Sequence, residues 1–233
     1  MAGVPAALGW VAKDGRDPDE NDDRGGAGQF RFAVADGAAT SARPEVWAEI
    51  LVHAFVGRGL DPFDPLVLPE LRRQWRSEVH QRELPWYARA KLEEGGAAAF
   101  VGLELDIANH RYRCVAVGDS CLLHLRGGDL LVAGPIDDWE QFDRFPRLIH
   151  TTDNDSFRAA LWRTEGPYQS GDVFILASDA LAKYLLRCHR LDHRIDFAMG
   201  HADSEERFAD WVIHARLHDE LDNDDTTVCV VRP

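Results

Sequence analysis

Three short apolar runs in this chain are each bounded by aspartate. Phe30–Gly37 reads FRFAVADG, Val173–Ala180 reads VFILASDA and Asp224–Val231 reads DDTTVCVV. The first alternates, with Phe30, Phe32 and Val34 on one face and Arg31, Ala33 and Ala35 on the other. In the second, Val173 to Ala177 is apolar on both faces, which predicts a strand covered on both sides. Asp36 then stands where a buried strand meets a turn, and Gly37 lets the backbone turn sharply with its carbonyl free. An Asp-Gly pair alone is an ordinary turn. Three strand ends carrying carboxylates predict convergence on one point, and an oxygen-only cluster suits the hard cations Mg²⁺ and Mn²⁺ better than zinc.

Composition narrows the field. At 233 residues the chain is long enough for one substantial core, and a single domain over residues 1–233 is the simplest organisation. A formal net charge of -14 argues against nucleic-acid binding, which needs clustered Lys and Arg, and fits a protein that binds cations. Cys114, Cys121, Cys188 and Cys229 lack Cys-x-x-Cys spacing, and three lie in or next to apolar strand patterns, which implies reduced thiols and a cytoplasmic setting. No run approaches the roughly 18 apolar residues of a membrane span, and the N-terminus lacks the basic region of a secretion signal.

Along the chain, Val4 to Val11 predicts a first strand, and Lys13 to Gly28, dense in Asp, Gly and Pro, a loop carrying Asn21, Asp22 and Asp23. A helix is expected from about Pro44 to Val56, with Val46, Trp47, Ile50, Leu51, Ala54 and Phe55 on its buried face. A second helical region spans about Leu66 to Leu92, interrupted near Pro85, with Trp75, Trp86 and Tyr87 as core or cap residues. Strands follow at Ala97–Asp106, Arg111–Val117, Cys121–Arg126 and Asp129–Ala133; their short turns imply an antiparallel meander. Residues 134–171 carry no firm pattern and read as an insertion or flap. Helices are expected from about Ala180 to Cys188 and from near Asp203, the latter burying Phe208, Trp211, Val212 and Ala215, before a last central strand at Thr227–Val231.

The order strand, acid, helices, meander, Gly-Asp-Ser, strand, Ser-Asp, helices, Asp-Asp-x-Thr, strand resembles the metal-dependent protein phosphatases of the PP2C type, in particular a bacterial single-domain branch. The resemblance runs from Asn21-Asp22-Asp23 to Asp224-Asp225-Thr226-Thr227. It implies an α+β fold, a four-layer α-β-β-α sandwich with two antiparallel sheets packed face to face. It also implies that Asp23 is a metal ligand, with Asp22 a shortened version of the family's Glu, and that Asp36 bridges two metals with the Gly37 carbonyl as a further ligand. Asp179 and Asp224 complete the ligand set of the second metal, and Asp119 of Gly118-Asp119-Ser120 joins a third, looser site. Two such cations roughly 3.5–4 Å apart activate a shared water for in-line attack on a phosphoryl group. Asp36 and Asp179 act through that metal-bound water, so no protein nucleophile is needed, and Ser120 and Ser178 read as turn and supporting groups.

The chain departs from the family pattern at several points. Ala38 stands where some members carry a His proposed as general acid, and Cys121 where Arg is common. The family's phosphate-binding Arg has no clear match; Lys13 and Arg16 are the candidates. Two functions follow. One is a Mn²⁺- or Mg²⁺-dependent phosphatase acting on phosphoserine and phosphothreonine in proteins, opposing a Ser/Thr kinase. The other is a non-enzymatic relative that binds a phosphorylated partner or regulates a kinase. A zinc site through His189 and His193, or His214 and His218, lacks a third ligand, and these histidines read as solvated surface groups.

Overall fold

Two antiparallel sheets carry the strands of the computed structural model, which describes residues 3–79, 91–152, 154–193, 195 and 204–233. One sheet runs in the order β1 (Ala6–Val11), β11 (Thr226–Val231), β10 (Asp172–Ala177), β6 (Cys121–Arg126), β7 (Asp129–Gly134). The other runs β2 (Arg24–Ala27), β3 (Arg31–Gly37), β4 (Ala97–Asp106), β5 (Arg111–Val117), β9 (Trp162–Pro167), with the short β8 (Ile149–His150) beside the start of β4. Among the described residues four α-helices accompany them: α1 (Pro44–Val52), α2 (Leu68–Val79), α3 (Asp179–Asp192) and α4 (Glu205–His218).

Residue parity along the central strands distributes side chains among three cores. Phe32 and Val34 of β3 meet Phe174, Leu176, Cys229 and Val231 between the sheets. Their neighbours Ala33 and Ala35 face the other way, packing with Trp47 and Leu51 of α1 and Trp75 of α2. In the first sheet Ile175, Ala177, Val228 and Val230 lie against Leu181 and Leu185 of α3 and Phe208 and Val212 of α4. A strand buried on both faces cannot alternate with exposed polar residues, so VFILA and the VCVV of Val228–Val231 are continuous apolar runs. The expected α-β-β-α sandwich is what forms.

Helix–sheet contact is close where glycine permits it. A Cβ on Gly9 of β1 would stand 2.6 Å from the Phe208 ring, so α4 docks only on a strand lacking a side chain there. Ser204 caps α4, its hydroxyl accepting from the Arg207 N–H at 3.2 Å.

Several boundaries differ from expectation. Arg24–Ala27 is a strand inside the predicted loop, pairing Gly25 with Val34 and Gly26 with Ala33. A Cβ on Gly26 would meet Val52 of α1 at 2.6 Å, so this low-propensity segment is placed by its neighbours. Within 134–171, β9 pairs with β5, Cys114 opposite Thr164. As the sheet's edge it has a mixed pattern that periodicity does not reveal. The first helix is α-helical only to Val52 and continues as a wider turn over His53–Gly57. The second is described over Leu68–Val79; the break at Pro85, Trp86, Tyr87 and the start at Asp203 lie outside the described residues. Trp211 is half-buried, unlike Phe208, Val212 and Ala215. All four cysteines are free thiols, and among the described residues no helix is long and apolar enough to cross a membrane.

Candidate metal centre

Antiparallel pairing brings the aspartates to one end of the sandwich. Ala177, at the end of β10, lies opposite both Val228 near the start of β11 and Cys121 at the start of β6. Asp179, the Asp224–Asp225 pair and the Gly118-Asp119-Ser120 turn therefore share that end. In the second sheet Asp36 and Gly37 lie opposite Ala99 and Ala98 of β4, whose next residue Phe100 faces Val117 at the end of β5, so Asp36 reaches the same end. The result is a cleft of about 430 Å³ lined by Asp22, Asp36, Asp119, Asp179, Asp224 and Asp225 with Gly37. Its opposite lip is formed by Asp143–Pro146 and Leu148.

Backbone contacts hold the acidic loop against this end. The Asp225 carboxylate accepts from the Asp22 N–H at 2.7 Å and the Lys13 N–H at 2.8 Å, joining segments more than 200 residues apart. A Cβ on Gly37 would lie 2.6 Å from the Asp22 carbonyl oxygen and 2.8 Å from the Pro44 Cβ, so glycine is required where the loop crosses the strand end. Successive residues of the extended segment face opposite ways. Asp22 opens into the cleft, whereas Asn21 and Asp23 line a neighbouring cavity of about 300 Å³ with Trp10 and Arg24.

The sequence candidates thus fall into two groups. Asp36, Gly37, Asp119, Asp179 and Asp224 line one cleft. Asp23 is adjacent, 4% exposed, and neither of its carboxylate oxygens has a hydrogen-bond partner of normal geometry. Lys13 and Arg16 are at the rim but engaged: Lys13 Nζ lies 3.6 Å from Asp224, and an Arg16 guanidinium nitrogen 3.1 Å from Asp22 and 3.9 Å from Asp225. The clamp by Asp225 and the lip at residues 143–148 were not anticipated from sequence. Both depend on contacts between distant segments, and only the Asp-Asp pair itself was visible beforehand. Elsewhere, the exposed His214 and His218 rings stand 4.6 Å apart, with His214 Nδ1 3.3 Å from Asp219.

Electrostatics mark the cluster as unfavourable for bare carboxylates. Burial, with the charges of Asp23, Asp179, Asp119 and Asp224, pushes the Asp36 carboxyl well above its usual range. Burial and the charges of Asp179 and Asp224 raise Asp119 to about 7. Asp179 rises to about 6 through burial and Asp224, offset partly by the Ala180 N–H and a hydrogen bond with Asp36. Asp23 is raised well above the usual range by burial and by Asp179 and Asp225; nearby hydroxyls of Ser178 and Thr227 counter only part of this. Among the described residues no three His, Cys, Asp or Glu side chains close on a single point. The donor set is nevertheless all oxygen, mutually repelling, and includes two buried oxygens without partners. These properties fit hard divalent cations.

No protein-family model matches the chain, and no curated protein sequence does. Solved structures do match over nearly the full length. The Mycobacterium tuberculosis serine/threonine phosphatase PstP/Ppp is 20% identical, with 98% of each chain covered and a TM-score of 0.63. The PstP catalytic domain in complex with two manganese ions is also 20% identical, covering 98% of this chain and 99% of that one, with a TM-score of 0.55. The photosystem II phosphatase PBCP is 12% identical over 99% of each chain, with a TM-score of 0.63. At these identities the likeness establishes the fold, that of the PP2C-type phosphatases.

Proposed function

We propose that this chain, built on the fold of the PP2C-type phosphatases, hydrolyses phosphoserine and phosphothreonine in proteins with the aid of Mn²⁺ or Mg²⁺. The observation that carries the proposal is the arrival of aspartates from five separate segments in one cleft: the acidic loop, the ends of β3 and β10, the β5–β6 turn and the start of β11. In this reading Asp23, Asp36, the Gly37 carbonyl, Asp179 and Asp224 would hold two cations, with Asp22 beside them, and Asp119 would serve a third. Bound cations would supply an activated water and neutralise charge on the phosphoryl oxygens.

The chain's own groups prepare that site. The carboxylates repel one another, so cation binding and the order of the cleft are coupled. Asp225 keeps the Asp22 backbone in place through its hydrogen bond. Ser178 Oγ accepts from the Thr227 N–H at 2.9 Å and Ser120 is fully buried, which supports structural roles for both rather than attack on phosphorus. Ala38 offers no imidazole, so solvent protonates the departing serine or threonine oxygen. The chain is read as one domain over residues 1–233 with 134–171 as its flap. It acts in the cytoplasm, where free thiols persist, on a phosphoprotein whose kinase it opposes.

One observation favours the non-enzymatic alternative: Arg16 and Lys13 are held by carboxylates at the rim. Phosphopeptide hydrolysis with and without Mn²⁺ decides between the two. The phosphatase reading expects cation-dependent turnover that falls by about 10³-fold or more, roughly 4 kcal/mol, in Asp36→Ala and Asp179→Ala, with the far-UV spectrum unchanged. Unchanged turnover in these variants overturns it; calorimetric Mn²⁺ binding without turnover supports the alternative.

A further inference from the structure

The cleft that would receive a phosphate dianion is lined by seven aspartates and, among the described residues, by one cationic side chain, Arg144. A phosphoryl group entering such a site needs a positive partner besides any cation, and a planar guanidinium can donate two parallel hydrogen bonds to it. Lys13 and Arg16 do not line the cleft and are already paired with Asp224 and Asp22. Arg144 is exposed, and the structure records no ion pair for it among the described residues. It can therefore turn toward an incoming anion without breaking an existing pair.

The segment that carries it is anchored near the cleft. Its C-terminal end runs into β8, where Ile149 lies opposite Ala98 and its carbonyl accepts from Trp47 Nε1 at 2.9 Å. Ala98 also faces Gly37, so the anchor is one strand away from the Asp36–Gly37 turn. Beside Arg144 on the lip stands Phe145, 86% exposed, an aromatic ring with no partner to bury it. A large apolar side chain at the mouth of a charged cleft suits contact with a peptide flanking the phosphorylated residue better than contact with a small phosphate ester.

We propose that Arg144 binds the phosphoryl group of the substrate and that Phe145 packs on the residue next to the phosphorylated one, making residues 144–145 the peptide-selecting lip of the cleft. This rests on the phosphatase reading for its catalytic consequence, whereas the binding itself is measurable without turnover. The test is calorimetric titration of inorganic phosphate into the Mn²⁺-loaded full chain, for the unmodified protein, Arg144→Ala, Arg144→Lys and Arg147→Ala. Arg147 belongs to the same segment, donates to the Ser156 carbonyl and does not line the cleft, so its variant removes equal charge without removing the proposed contact.

The expected result is a phosphate Kd raised tenfold or more in Arg144→Ala, partly restored in Arg144→Lys and unchanged in Arg147→Ala. In parallel, Arg144→Ala raises KM for a phosphopeptide far more than it lowers kcat. Phe145→Ala raises KM for a phosphopeptide with an apolar flanking residue more than it does for free phosphoserine. An unaltered phosphate Kd in Arg144→Ala, or an equal loss in Arg147→Ala, overturns the assignment while leaving the phosphatase reading intact. Phosphate binding that depends on Arg144 in a protein without turnover upholds the assignment and overturns that reading instead.

Discussion

Asp172 and Asp36 show opposite electrostatic designs at two ends of one fold. Asp172, with a side chain 1% exposed, receives both Arg126 donors at 2.7 and 2.9 Å, His124 Nε2 at 2.9 Å and the Gln169 N–H at 2.9 Å. Although burial opposes its charge, these partners hold its carboxyl down at about 2. Its contribution, on the order of 2 kcal/mol, is present above the unfolded carboxyl's range near pH 4 and is lost as pH falls toward 2. Asp172→Asn should therefore cost about 2–3 kcal/mol at neutral pH and flatten the acid limb, read by urea unfolding across pH. Asp119 and Asp179 behave inversely: their raised values favour the protonated fold, so stability is fullest below pH 4 and declines as pH rises through 6 to 7. With chelator present, the melting temperature should be highest near pH 4 and fall as pH rises toward 7. Asp36→Asn should melt higher than the unmodified chain at pH 7.5, by about 1–3 kcal/mol, because one repelling charge is removed.

Elements are fixed in place by close approaches that a single methyl would spoil. Gly9→Ala puts a Cβ into the Phe208 ring and should lower stability by about 1–3 kcal/mol, with α4 losing amide protection before the central strands do. Gly37→Ala pushes on the Asp22 carbonyl and on Pro44 together, so its expected signature is weaker Mn²⁺ binding as well as a lower melting point. The central strands were readable in sequence because both faces are buried and their apolar runs are continuous. β2 was not, since two of its four residues are glycine and its conformation follows from pairing with β3 and contact with α1. Likewise β9 exposes one face at the sheet edge, and its WRTEGP carries no clear period.

Across the whole molecule, three cores in four layers fix the framework and leave one end to carry concentrated negative charge. A cation bound only by the folded state stabilises it by mass action, about 2.7 kcal/mol at a hundredfold excess over Kd. Saturating Mn²⁺ should accordingly raise the melting temperature by several degrees, chelator should reverse the shift, and Asp36→Ala should abolish it; scanning calorimetry measures all three. Increasing NaCl should also stabilise the cation-free chain, since screening weakens repulsion within a protein of net charge -14.

Local pattern determined which segments become central strands, that short turns make them antiparallel, and that Asp36, Asp179 and Asp224 stand at strand ends. Parity and turn length are properties of neighbouring residues, so they can be read along a line. Tertiary structure alone decided that Asp22 lines the cleft while Asp23 is buried with its charge felt by Asp36 and Asp179, and that Asp225 clamps the acidic loop. It also decided that Arg16 pairs with Asp22 while Arg144 lines the cleft. Those outcomes depend on where irregular segments are pinned by residues far away in the chain, and no local periodicity records that distance.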